Sequence, residues 1–239
     1  MSRNSVILWE GPSSFDGAPL VVVATGLRRG SRNAKTGAMV QTWILRTAEN
    51  PVASVKSGLD GSNCGVCPHR SGAGCYVDVS RAPLAVWRSY QRGSILHATE
   101  ADRARIRSLA LRIGSYGDPG AVPLAVWEQV TAQGQRRTGY THAWRARPDL
   151  AGLCMASADS AAESHVARSQ GWRTFRVIGN DDVDAGARPG EIECLAESRG
   201  KSCIDCGLCH GKHATSAKAS IFIAAHGAKS ARVGLAIIQ

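Results

Sequence analysis

The chain has 239 residues, of which 44% are hydrophobic and 26 are glycine, as is typical of a globular α/β protein with a large core. No stretch approaches the length of an apolar membrane span, and the first residues lack the long apolar run of a secretory signal peptide. Basic residues outnumber acidic ones by 29 to 19, and the net charge of +10 favours a polyanionic partner. We therefore expect one cytoplasmic α/β domain, 1–239, that binds nucleic acid and no membrane.

Apolar runs predict strands at 6–9, 20–25 and 40–45, and the last two form a hairpin. The segment between them, 26–39, is rich in glycine and basic residues but lacks the G-x4-G-K-[ST] spacing of a P-loop. Arginine binds phosphate through a planar fork of N–H groups. The alternative for this segment is a solvated surface loop. The predicted nucleic-acid contacts are Arg28, Arg29, Arg32, Lys35, Arg145 and Arg147.

Helices are predicted from Pro83 and from Thr99, since proline suits the first helical turn and threonine caps one. Further strands are predicted at 111–116, 138–144, 153–158, 172–179, 191–196 and 220–225. A helix begins at Pro123, and another follows Ser160 between two of these strands. This alternation predicts a parallel sheet in a reduced or partial (β/α) barrel, because a complete eight-fold barrel needs a longer chain.

Polar side chains follow the predicted strands repeatedly. They are Asp118, His142, Asp159, Asp181, Asp182 and His226. The carboxyl ends of parallel strands meet at one edge of a sheet, where such folds place their active sites. Carboxylates beside histidine suit general acid/base or nucleophilic chemistry. We predict Asp118, Asp159 and His142 as catalytic residues; the alternative for each is a helix cap or a satisfied polar side chain.

Seven of the eight cysteines lie in two loop insertions, and Cys154 stands alone. Clustered cysteines in a cytosolic protein are typical of metal ligands, whereas a disulfide scaffold is usually secreted and smaller. The insertion 194–213 has the spacing C-x8-C-x2-C-x2-C, which fits a four-thiolate zinc site and also the compact spacing of iron–sulfur ferredoxins. Its predicted ligands are Cys194, Cys203, Cys206 and Cys209.

The insertion 58–80 supplies Cys64, Cys67 and Cys75, with His69 as a fourth candidate ligand. This set fits a zinc site of three thiolates and one imidazole. It equally fits a [4Fe–4S] cluster with one open iron, the arrangement that binds S-adenosylmethionine in radical enzymes. The usual C-x3-C-x2-C motif is absent, since the spacing here is C-x2-C-x7-C. The two insertions form either two metal sites or one shared site.

Four motifs carry a resemblance to a known group of proteins. They are SRNAKTGAMVQTWIL, CGVCPHR with GCYV, RIGSYGDPGAVP with YTHAWR, and the late CxxCxxC. Together they resemble phage-encoded proteins described as radical-SAM-like or barrel-like, which implies a location in the host cytoplasm.

A remoter similarity is to the tRNA-guanine transglycosylase superfamily, whose phage relatives place 7-deazaguanines in DNA. This resemblance implies a barrel with two catalytic aspartates, matched by Asp118 and Asp159. It also implies a zinc site of three cysteines and one histidine, matched by Cys203, Cys206, Cys209 and His226. The superfamily's glycine-rich substrate motifs are not visible, and the insertion 58–80 has no counterpart in it.

The leading expectation is a metal-containing, zinc-binding enzyme that exchanges guanine for a 7-deazaguanine in DNA. In that mechanism one aspartate attacks the anomeric carbon, and the other moves a proton on the incoming base or nucleoside. The first alternative is an iron–sulfur enzyme of radical-SAM type, with a [4Fe–4S] cluster and S-adenosylmethionine. The second is a non-catalytic zinc protein that binds nucleic acid.

Overall fold

The structure is a computed structural model that describes residues 3–70, 73–179, 186–212 and 219–225. These residues contain the strands β1 (Ser5–Pro12), β2 (Pro19–Thr25), β3 (Val40–Arg46), β4 (Leu96–His97), β5 (Leu111–Tyr116), β6 (Arg137–Thr141), β7 (Met155–Ala158), β8 (Thr174–Ile178), β9 (Glu191–Glu193) and β10 (Ser220–Ala224). They also contain the helices α1 (Pro51–Ser57), α2 (Gly61–Cys64), α3 (Ala82–Gln91), α4 (Glu100–Arg107), α5 (Leu124–Glu128), α6 (Ala161–Ser169), α7 (Leu195–Arg199) and α8 (Cys203–Cys206).

One mostly parallel sheet joins the strands in the order β4-β1-β2-β3-β5-β6-β7-β8-β10-β9. Only the β1–β2 and β2–β3 pairs are antiparallel. From β3 onward neighbouring strands run in the same direction, as β-α-β crossovers require. The α/β class is confirmed, and the hairpin of β2 and β3 forms as predicted. The closing of this sheet into a partial barrel stays a prediction.

The sheet buries an apolar core on one face and carries both cysteine insertions on the other. Val40, Ile44 and Ile113 belong to a large core cluster that Ile106 of α4 and Val126 of α5 join. On the opposite face, Trp43 and Tyr116 pack with Cys64 of the first insertion. Farther along the same face, Met155 and Tyr140 pack with Cys194 and Cys209 of the second. The register supports one shared face, since Trp43 pairs with Tyr116 and Tyr140 with Met155.

Parallel pairing also defines two edges of the sheet. The carboxyl edge holds the segments that follow β3, β5, β6 and β7, and the amino edge holds those that precede them. Because β2 runs antiparallel to β3, the basic segment 26–39 lies at the amino edge. The first cysteine insertion follows β3 and α1, so it lies at the carboxyl edge.

Two local features matter for the site: one strand ends earlier than predicted, and one helix is capped as predicted. The strand predicted at 138–144 ends at Thr141, because the Thr141 hydroxyl accepts a hydrogen bond from the Ala143 N–H (3.0 Å) and turns the chain. Helix α6 is capped by Ser160, whose Oγ accepts from the Glu163 N–H (3.1 Å). The Asp159 carboxylate is therefore not a helix cap.

Among the described residues, no helix has both the length and the apolar character that a membrane crossing requires.

Candidate metal and reaction site at the carboxyl edge

Three side chains from separate segments meet at the carboxyl edge, and we call them the His–Asp site: His69, His142 and Asp159. His69 comes from the first cysteine insertion, His142 follows β6 and Asp159 follows β7. His69 Nε2 lies 2.8 Å from Asp159 Oδ1, and His142 Nε2 lies 3.2 Å from Asp159 Oδ2. Within the described ranges, this is the one set of three His, Cys, Asp or Glu residues whose ligand atoms all lie within 4.8 Å of one another.

Burial and hydrogen bonding set the charges of this site. Burial disfavours a charged Asp159, but hydrogen bonds from His142 and His69 outweigh it and hold its pKa well below the usual range. Burial likewise favours a neutral His142 ring. The charge of Cys67, together with hydrogen bonds to Asp159 and Cys67, outweighs burial and raises the pKa of His142 well above its usual range. The site is thus a carboxylate held between two imidazoles, with a thiol on one of them.

The three side chains also lie close enough to share one cation, since one ligand atom of each falls within 4.8 Å of the others. Two ligand atoms each about 2.1 Å from an ion in tetrahedral geometry lie about 3.4 Å apart. Two imidazoles and one carboxylate form a recognised ligand set for zinc and for non-haem iron, and the set leaves open positions. His69 is only 8% exposed, and its Nδ1 is buried without a hydrogen-bond partner among the described residues. An unsatisfied buried nitrogen is costly, so this ring atom also fits a place for a ligand.

Asp118, also predicted as catalytic, lies beside this site but is fully engaged by its neighbours. Its Oδ1 accepts hydrogen bonds from the Thr141 hydroxyl (2.6 Å) and the Gly120 N–H (2.7 Å). Its Oδ2 accepts from the His142 N–H (2.8 Å). Burial raises the pKa of Asp118, although these hydrogen bonds act in the opposite direction. The contacts give Asp118 the means to fix the backbone that presents His142.

The first cysteine group, defined as Cys64, Cys67 and Cys75, comes from the same insertion as His69. Burial raises the pKa of the Cys64 thiol, and the charges of Cys75 and Cys67 raise it further. Cys67 is hydrogen-bonded to His142. The charges of these thiols therefore act on one another, and Cys67 borders the His–Asp site. Metal binding by this group stays a prediction.

The second cysteine group, defined as Cys194, Cys203, Cys206 and Cys209, lies at the amino edge. Burial raises the pKa of Cys209 to about 12, a hydrogen bond with Tyr140 opposes that rise, and the charges of the other three thiols add to it. The loop is fixed to the sheet, since the Gly139 N–H of β6 donates to the Cys209 carbonyl (3.2 Å). Metal binding here also stays a prediction.

Arg112 lies between the two cysteine groups. Its guanidinium donates a hydrogen bond to the hydroxyl of Tyr76, the residue that follows Cys75. Burial opposes the charge of Arg112, while Tyr76, Tyr140, Cys203 and Cys209 raise its pKa. The thiols that shift the pKa of Cys64 belong to its own group, and so do those that shift the pKa of Cys209. This separation supports two sites on one face of the sheet.

The predicted nucleic-acid contacts divide between the two edges. Arg28, Arg29 and Arg32 are exposed at the amino edge and make no ion pair with any residue of the described segments. Lys35 in the same segment pairs with Glu197.

The other two predicted contacts lie at the carboxyl edge. Arg145 stacks over the Trp144 ring at 3.9 Å and pairs with Glu163. Arg147 pairs with Asp149 and donates to the Gly120 carbonyl, so it supports the loop that holds Asp118.

Thr141 and Glu163 take part in the site without having been predicted from the sequence. Thr141 donates to Asp118, and Glu163 Oε2 accepts from the Asp159 N–H (3.0 Å). The signal for Thr141 was its position directly before His142 at a strand end. His226, Asp181 and Asp182 lie outside the described residues. Cys154 is buried in the core, where its thiol faces the Leu150 carbonyl.

The resemblances to phage radical-SAM-like proteins and to the tRNA-guanine transglycosylase superfamily stay predictions. No protein-family model, curated protein or solved structure matches this chain.

Proposed function

We propose that the protein is a metal-dependent enzyme that modifies a base of nucleic acid and that its reaction centre is the His–Asp site. The observation that supports this most directly is the convergence of His69, His142 and Asp159 from three separate segments. Such a centre, when loaded, polarises a substrate oxygen or lowers the pKa of a bound water. Its position at the carboxyl edge is where parallel α/β folds place catalysis.

The protein's own groups have distinct roles in this proposal. Asp159 is the anionic ligand, and its depressed pKa keeps it ionised and ready to bind a cation. Asp118 positions His142 through the backbone N–H that it accepts. The hydrogen bond between Cys67 and His142 restrains the orientation of that ring.

An aspartate nucleophile is less well supported by these contacts. Both oxygens of Asp118 already accept hydrogen bonds, and both oxygens of Asp159 face imidazole nitrogens. A nucleophile needs an oxygen free to approach the anomeric carbon within about 3.5 Å. Base exchange through an aspartate stays a prediction that this geometry does not favour.

A nucleic-acid substrate is supported by charge. The net charge of +10 includes the three exposed, unpaired arginines of the amino edge. At the carboxyl edge, Arg145 is exposed near His142 and lies flat on an aromatic ring. A guanidinium held flat in this way offers N–H donors and a stacking surface to a phosphate or a base.

Metal analysis of protein prepared without oxygen tests the reaction centre. We expect His142→Ala to lose one metal ion per chain, because it removes one of three ligands. His165→Ala is the matched control, since His165 is an exposed histidine of α6. Unchanged metal content in His142→Ala would overturn the proposal.

The substrate is tested separately. Nucleosides from DNA and RNA of cells that produce the wild-type protein are compared by mass spectrometry with those from cells that produce His142→Ala. We expect a modified nucleoside with the wild type alone. Identical nucleoside profiles would reject a base of nucleic acid as the substrate.

The distances between the cysteine sulfur atoms favour a second candidate, the radical-SAM-type iron–sulfur enzyme. Thiolates around one tetrahedral zinc lie about 3.8 Å apart when each Zn–S bond is about 2.3 Å. Among the described cysteines, no three sulfurs lie within 4.8 Å of one another. A polynuclear cluster accepts a wider spread, and the first cysteine group follows β3, where the parallel part of the sheet begins.

Colour and metal content distinguish the two candidates. A brown protein whose iron and visible absorption are lost in Cys64→Ala but retained in His142→Ala supports the iron–sulfur enzyme. A colourless protein whose metal is lost in His142→Ala rejects it and supports the His–Asp centre.

A further inference from the structure

A second surface of the molecule lies at the amino edge, where the second cysteine group meets the basic loop, defined as residues 26–39. The Cys203 N–H donates to the Lys35 carbonyl (2.8 Å), and the Ile204 N–H donates to the Thr36 carbonyl (3.1 Å). These bonds join the first residues of α8 to the basic loop across about 170 positions of sequence. The loop that carries the arginines therefore rests on the loop that carries the thiols.

Close packing reinforces this contact. Gly37 has φ +70°, and a Cβ there would lie 2.4 Å from Ile204 Cγ2 and 3.3 Å from Ser202 Oγ. A side chain at this position would strain the backbone and push the two loops apart. The Lys35 ammonium also lies 2.5 Å from the Glu197 carboxylate. The position of the basic loop thus depends on the conformation of residues 197–206.

The conformation of residues 197–206 also sets the positions of Cys203 and Cys206 in α8, while Cys194 and Cys209 pack in one cluster on the sheet. Cys209 is 8% exposed, and its carbonyl accepts a hydrogen bond from the Gly139 N–H of β6 (3.2 Å). Four cysteines with the spacing C-x8-C-x2-C-x2-C form a ligand set that a cation can bind as thiolates. A positive φ at Gly207 allows the turn between Cys206 and Cys209.

From this arrangement we infer that the second cysteine group is a thiolate-bound metal centre and that its metal holds the basic loop in place to bind a nucleic-acid backbone. The loop offers Arg28, Arg29 and Arg32, which are exposed and unpaired within the described residues. Spaced guanidinium groups complement phosphates along a strand, and such contacts carry no sequence preference. This surface is distinct from the His–Asp site, so either proposal survives the failure of the other.

The first experiment measures metal content, trypsin cleavage after the loop arginines, and affinity for a fluorescent DNA duplex. We expect Cys206→Ser to lose the metal of the second group, to expose the loop arginines to trypsin and to weaken DNA binding about tenfold, because an ordered loop binds at lower entropic cost. Cys75→Ser is the matched control, since it removes a thiol from the other group. Iron with visible absorption identifies a cluster, and zinc alone identifies a single ion.

A second pair of variants leaves every thiol and charge in place. We expect Gly37→Ala to expose the loop to trypsin and weaken DNA binding while the metal is retained. Gly17→Ala is its control, because Gly17 also has a positive φ (+77°) but a Cβ there meets nothing within 4 Å. This pair keeps the test decisive even if Cys206→Ser fails to fold.

A charge variant tests the partner. Replacing Arg28, Arg29 and Arg32 by alanine should reduce the slope of log affinity against log salt by about 2 to 3, with unchanged metal content. Replacing the exposed Arg81, Arg88 and Arg92 removes equal charge elsewhere and should have a smaller effect. Metal content unchanged in Cys206→Ser, or metal lost with DNA binding and loop protection intact, would overturn the inference. An unchanged salt slope in the loop variant would do the same.

Discussion

The two cysteine groups lie on the same face of one sheet but differ in what surrounds their thiols. The first group borders the ionisable trio of His69, His142 and Asp159 through Cys67. The second borders carbonyl and amide groups that fix its backbone, including the Leu208 carbonyl bound by Arg173 (2.7 Å). The first group therefore borders a carboxylate and two imidazoles that can share a ligand, whereas the second borders Tyr140, Arg112 and backbone groups that hold its loop.

In the proposals above, this difference assigns chemistry to the surroundings of the first group and support of the chain to the second. A reaction centre keeps a ligand position open, whereas four thiolates saturate an ion. The sequence alone makes the second group the more conspicuous of the two, because four cysteines fall within sixteen positions. Under the proposed function the first group lies nearer the chemistry, since Cys67 contacts His142, whereas the second group contacts the basic loop.

The largest expected effect concerns a buried ion pair in the part of the sheet that the second cysteine group packs against. Arg176 of β8 and Glu191 of β9 form an ion pair (2.7 Å) in which both side chains are 0% exposed. We expect Glu191→Gln to lower the free energy of unfolding by roughly 3 kcal/mol, because it leaves a buried guanidinium without its counter-charge. Urea denaturation measures this loss. Arg145→Gln breaks an exposed ion pair and should cost less than about 1 kcal/mol. Equal losses of stability in the two variants would show that the buried Arg176–Glu191 pair contributes no more than an exposed one.

The next effect concerns Asp118, which holds the backbone of His142 beside the first cysteine group. We expect Asp118→Asn to lower metal affinity at the His–Asp site about 10- to 100-fold and stability by roughly 1–3 kcal/mol, because the amide cannot accept all three hydrogen bonds. Metal titration with a chelator measures the affinity. Thr141→Ser keeps the hydroxyl that donates to Asp118 and should stay close to wild type. Full metal affinity in Asp118→Asn would remove its positioning role.

Acid should lower the free energy of unfolding through protonation of Glu191. Burial opposes ionisation of Glu191, but hydrogen bonds and charge from Arg176 and Ser164 outweigh it and lower its pKa. A lowered folded pKa gives stability that is present above the unfolded pKa of about 4.3 and is lost as pH falls through the folded value. The difference in unfolding free energy between wild type and Glu191→Gln should therefore shrink below about pH 4, by at most about 1.4 kcal/mol per pH unit. A constant difference would show that Glu191 ionises alike in both states.

Much of the fold could be predicted from local pattern, and the site only in part. The strands at 111–116 and 172–179 follow from apolar periodicity, and the Thr99 cap of α4 follows from its side chain. The approach of His69 to Asp159 could not be predicted, since 90 positions separate them and no spacing rule joins a loop to a distant strand end. The turn at Thr141 involves a hydrogen bond to Asp118, which lies 23 positions earlier in the chain, so local pattern could not predict it. The strand predicted to continue to Trp144 therefore ends three residues earlier.

The smallest expected effect separates backbone from side-chain support at the amino edge. Lys35 touches the second cysteine insertion twice, through its carbonyl to Cys203 and through its ammonium to Glu197. Both side chains of the ion pair are partly exposed, at 53% and 34%, so Lys35→Ala should change stability by less than about 1 kcal/mol. The carbonyl bond remains in this variant, so metal content and trypsin protection of the basic loop should stay at wild-type levels. The salt slope for DNA should fall by less than about 1, because Glu197 already neutralises this ammonium. Trypsin sensitivity equal to that of Gly37→Ala would instead show that the exposed ion pair, rather than the backbone contact with α8, holds the loop.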